Sequence, residues 1–151
     1  MKKTAYSLPL LLALAGGAQA QAQPEVNTAC PQLAADSGLA WQHKATSSTD
    51  FCRALRSDGS EAFGLYIASE SAFKPNRGDR EEQASIDGQD VVWYRSEIAA
   101  APGIQARETL LELADGRIVH VWIQASTAMQ LDQALQPAQA MRFQSARLSL
   151  K

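Results

Sequence analysis

Apolar and polar positions alternate along most of the chain in short runs, broken by Gly, Asp, Ser and Pro, and that period of two predicts strands. Runs at 39–45, 51–56 and 62–69 have strand character, and the intervening "TSSTD" and "SDGSE" carry turn residues, so the second and third runs read as a hairpin. The segment "ESAFKPNRGD", 70–79, contains Pro75 and Gly78 and is expected to be the longest irregular loop. Two more hairpins are signalled by Asp87-Gly88 and Asp115-Gly116, each flanked by strand-like runs, with "AAAPGIQ" at 99–105 as the connection between them.

Helical signals sit at the two ends. Asn27 or Thr28 can cap a helix that Gly38 would stop, with Cys30, Leu33 and Ala34 on one face. Ser126 can cap a second helix running to about Gln136, with Ala128, Leu131 and Leu135 on one face. Pro137 can open a further turn that carries Met141 and Phe143 onto the core. The order helix, some seven strands, helix predicts an α+β domain. It would have a mostly antiparallel sheet of six or seven strands, N-terminal and C-terminal helices packed on it, and one disulfide.

The last hairpin allows its register to be derived. A two-residue turn at Asp115-Gly116 would mix apolar and polar positions on both faces, whereas a three-residue loop, 114–116 with Gly116 left-handed, separates them. Leu111 then faces Val119 and Thr109 faces Val121, which sends Val119, Val121 and Ile123 into the core. The other face carries Glu108, Leu110 and Glu112 opposite Trp122, His120 and Ile118. A carboxylate diagonal to His120, from Glu108 or Glu112, would favour the charged imidazole. In "VVWYRSEI", Val91, Trp93, Arg95 and Glu97 share one side and Val92, Tyr94, Ser96 and Ile98 the other, so aromatics occur on both faces.

The first residues alter what this domain is expected to be for. Lys2 and Lys3, an apolar run from Leu8 to about Ala15 and the small residues ending at Ala20 form a signal-peptide pattern too short to span a bilayer. Residues 1–20 are expected to be removed after Ala20, with 21–26 as a flexible leader and 27–151 as a single α+β domain in the periplasm or outside the cell. Losing the two lysines takes the formal charge from -2 to about -4, a poor balance for nucleic acid or anionic lipid. Stable membrane insertion after cleavage is not expected. The two cysteines, Cys30 and Cys52, are expected to pair in an oxidising compartment.

Catalytic motifs are sparse. No G-x-S-x-G marks a nucleophile, although His120 with Glu108 or Glu112 could supply a base and its orienting acid. Glu108 and Glu112 are about 13 Å apart by strand rise, too far for a glycosidase pair. No metal-ligand spacing, no cofactor motif and no phosphate loop is present, so neither a metal nor a cofactor is expected, and the Arg-Gly-Asp at 77–79 reads as a chance occurrence in a charged loop. The remaining signal is a set of residue types that anchor interfaces: Trp122, Trp93, Tyr94, Tyr66 and Arg95. They could alternatively form a minor core beneath a helix or the 70–79 loop.

The pattern "CPQL…SGLAW…DFCRA…FGLYIA", followed by "IDGQDVVWYR" and "HVWIQA", resembles small exported proteins of Gram-negative bacteria, some of which are immunity proteins. At the level of fold the topology resembles the PsbP-like α/β sandwich. Together with the absence of a catalytic motif, the resemblance suggests a non-enzymatic periplasmic module that binds another protein, an effector or envelope enzyme. The register and the interface residue types place the contact on His120, Trp122, Glu108 and Glu112, with Arg95 and Tyr94 as outlying contacts. The alternatives are a small hydrolase with His120 as base, and an envelope structural or assembly factor.

Overall fold

The computed structural model describes residues 29–96 and 101–143. The expected signal peptide, the leader and the first cap at Asn27 or Thr28 lie outside the described residues. Seven strands form one sheet: β1 (Ala40–Ala45), β2 (Asp50–Leu55), β3 (Glu61–Ala68), β4 (Arg80–Ile86), β5 (Gln89–Ser96), β6 (Gln105–Glu112) and β7 (Ile118–Ala125). One helix follows, α1 (Ala128–Gln139). The spatial order is β1-β2-β3-β7-β6-β5-β4, and every neighbouring pair is antiparallel.

Local chemistry accounts for most of the turns. Ile86 pairs with Gln89 across Asp87-Gly88, both at positive φ (50° and 82°), the requirement of a tight two-residue hairpin. At the last hairpin, Gly116 at φ 83° closes a three-residue loop: Leu113 N–H donates to Arg117 O and Gly116 N–H to Leu113 O. The register is the one derived from face segregation, with Leu111 opposite Val119, Thr109 opposite Val121, Leu110 opposite His120 and Glu108 opposite Trp122.

One face of the sheet buries the main core. Phe63, Leu65, Val119, Val121, Ile123 and Trp93 from the strands meet Leu131, Ala134, Leu135 and Ala138 of α1, joined by Met141 and Phe143 beyond the helix. The helix is capped one residue later than expected. Thr127 Oγ1 accepts from Gln130 N–H, and the Gln130 side chain returns a bond by accepting from Ser126 N–H. Pro137 sits inside this helix, in its last turn, instead of opening a separate one. It forgoes one backbone bond, and its would-be acceptor belongs to Gln133 on the solvent side.

The expected N-terminal helix is not found: from residue 29 to β1 the described chain holds turns, bends and one bridge. Gln32 exchanges two backbone hydrogen bonds with Arg142 (2.7 and 3.0 Å), and Pro31 O accepts from Trp41 Nε1 (2.6 Å). These bonds commit the backbone groups that a helix would have used internally. The disulfide Cys30–Cys52 ties this segment to β2 within the core.

Candidate functional site

The opposite face of the sheet carries the residues of interest, and its geometry follows from one topological fact. Strand β4 runs parallel to β3 with three strands between them, so the chain from Ser69 to Asp79 must cross the sheet. It crosses on the face away from α1. Phe73 lands stacked on His120 (centroids 5.1 Å, planes 10° apart) and edge-on to Tyr94 (6.0 Å), while the Tyr66 and Ser71 hydroxyls meet at 2.7 Å. The crossing segment thus roofs part of the face and makes a minor aromatic core, one of the two outcomes anticipated for these aromatics.

Beneath the roof, His120 is 8% exposed. Its Nε2 lies 3.2 Å from Glu108 Oε1, an ion-pair distance, but neither ring nitrogen has an aligned hydrogen bond. The His120 ring is the largest influence holding the Glu108 carboxyl below the usual carboxylate range; burial opposes it, and the Ser96 hydroxyl adds to the lowering. Glu112 takes no part, being exposed at the far end of β6, where its backbone carbonyl accepts from Gln89 Nε2.

Outside the roof the face is open. A row of cross-strand neighbours runs Gln42, Arg53, Gly64, Trp122, Glu108, Tyr94, Arg80 from edge to edge. At its centre the Trp122 indole fills the space that a side chain on residue 64 would need, since a Cβ there would lie 2.3 Å from Cζ2. Trp122 Nε1 donates to Glu61 Oε1 (3.0 Å), and Arg53 Nε donates to Glu61 Oε2 (2.6 Å), so one carboxylate fixes both side chains. Arg53 also donates to Gln42 Oε1 (2.9 Å). Gln42, His43, Lys44, Thr46, Phe51, Arg53 and Trp122 enclose an open cavity of about 630 Å³, with Phe51 37% exposed.

The structure therefore divides the six residues expected to contact a partner. Trp122 faces the cavity; His120, Glu108 and Tyr94 lie under or beside Phe73; Glu112 stands apart. Arg95 is on the other side of the sheet, opposite Arg107, where the carboxylates of Asp79 and Glu81 lie 3.6 Å from it. Arg107 in turn forms a two-pronged pair with Glu82 (2.8 and 3.0 Å). The Arg-Gly-Asp run forms a short 3-10 turn whose Asp79 is directed at Arg95.

Phe51, Glu61 and Gly64 were not singled out by sequence reasoning. The signal for Gly64 is a glycine in the middle of the apolar strand "AFGLYIA", which marks a close approach of another group to the backbone. Among the described residues no group of three or more His, Cys, Asp or Glu side chains could hold a metal, and no helix is long and apolar enough to cross a membrane. Comparison with protein-family models, curated proteins and solved structures returned no match to this chain.

Proposed function

We infer that the protein is a non-enzymatic, periplasmic protein-binding module, an immunity protein or inhibitor acting on an antibacterial effector or cell-wall enzyme. The observation that carries this reading is Trp122, partly buried at the edge of a cavity, fixed over Gly64 and bonded to Glu61. A tryptophan held in one pose loses little freedom on binding, and tryptophans dominate interface energetics. The disulfide is of the kind that persists in oxidising compartments. A hydrolase built on His120 draws less support: Phe73 covers the ring, and no hydroxyl is hydrogen-bonded to either imidazole nitrogen.

The test is capture from periplasmic extract, identification of the partner, and calorimetric titration of the purified partner against wild type, Trp122→Ala and Arg95→Ala. Trp122→Ala is expected to weaken binding about 30-fold or more. Arg95→Ala, on the opposite face, is the control expected to change little. A purified partner bound equally well without Trp122 overturns the assignment of this face.

A further inference from the structure

We propose that the cavity between Phe51 and Trp122 receives an acidic segment of a partner protein, one that presents an apolar side chain flanked by Asp or Glu. This rests on the protein-binding reading above and specifies the chemistry of its contact.

The lining sets the occupant. Phe51 and Trp122 supply apolar surface on two sides, and the space of about 630 Å³ is ample for one large side chain with its backbone. The charges on the lining do not balance. Arg53 is paired with Glu61 at 2.6 Å, while Asp50, hydrogen-bonded to His43 at 2.9 Å, shares the side of β2 that carries buried Cys52 and so alternates away from Phe51 and Arg53. Lys44 has no ion pair among the described residues, although it is exposed on the cavity rim directly across from Phe51. An acidic protein thus carries an uncompensated ammonium beside its most exposed strand aromatic. A carboxylate next to an apolar side chain complements both at once, and the apolar contact places the anion at the cation. Strand β1 forms the outer wall and is the edge of the sheet, so an extended segment can enter from the side without crossing the Phe73 roof.

The probes are two peptides, acetyl-Gly-Phe-Glu-Gly-amide and acetyl-Gly-Phe-Gln-Gly-amide, titrated into isotopically labelled mature protein with the Trp122 indole N–H as reporter. The Glu peptide is expected to move that resonance and to bind about two- to fivefold tighter than the Gln peptide at low salt, the advantage fading as salt rises. Lys44→Gln, an exposed substitution whose fold is checked by thermal melt, is expected to make the two peptides equal. Equal binding of both peptides to wild type overturns the acidic preference. No movement of the indole resonance at about 10 mM peptide overturns the site. A shift caused by chitotriose but by neither peptide overturns it in favour of a glycan platform. A purified partner that needs Trp122 while both peptides fail leaves the protein-binding reading standing and removes only this account of the cavity.

Discussion

Trp122 and Gly64 are cross-strand partners on β7 and β3, and the absence of a side chain on one is what lets the indole of the other lie against the sheet. The pair also explains why Glu61 can reach the indole nitrogen: the ring is held low, with its Nε1 3.0 Å from the carboxylate.

Gly64→Ala is therefore expected to lift Trp122 off its seat. Overpacking of this kind costs about 1–3 kcal/mol. Denaturant unfolding should show that loss, and tryptophan emission should shift as the indole environment changes. An unshifted spectrum with unchanged stability would contradict the seat.

Cys30 and Cys52 close a loop with a sequence separation of 22. Replacing both with Ser is expected to lower stability by about 3 kcal/mol, chiefly by freeing the unfolded chain. Intact mass should rise by about 2 Da on reduction of the wild type. Unfolding curves that superimpose for wild type and the double variant would contradict a stabilising bridge.

The Glu108 carboxyl is held low in the folded state by His120. A carboxyl with a depressed folded pKa stabilises the fold above its unfolded pKa of about 4.3, and that contribution is lost as pH falls through the lower folded value. Glu108→Gln is expected to flatten this part of the acid limb in urea titrations between pH 6 and 3. An acid limb as steep in the variant as in wild type would remove the His120–Glu108 coupling.

Phe73 lies over His120 and beside Tyr94. Phe73→Ala is expected to cost about 1–2 kcal/mol for a half-buried aromatic and to raise the reactivity of His120 toward diethyl pyrocarbonate. Unchanged reactivity would mean that the crossing segment does not shield the ring.

The last hairpin was legible because two local facts agree there: a glycine able to take positive φ, and an apolar set that only one register gathers on a single face. The strands were legible for the same reason. The N-terminal segment was not, because Cys30, Leu33 and Ala34 share helical spacing while the forces that decide the segment are distant, namely Cys52, Trp41 and Arg142. The site shows the same division. Trp122 and His120 could be assigned to a face from their own strand. That Phe73 would cover one and leave the other open depends on where β4 lies in the sheet, a long-range choice that no local pattern encodes.

The bridge between Gln32 and Arg142 brings the first and last described segments into hydrogen-bonding contact, the ends between which the seven strands and the helix lie. Joining those ends and cutting within the Ser69–Asn76 crossing would give a circular permutant that starts at β4 and keeps every strand pair. It would also detach the segment whose Phe73 stacks on His120, turning the roof into a pair of free ends.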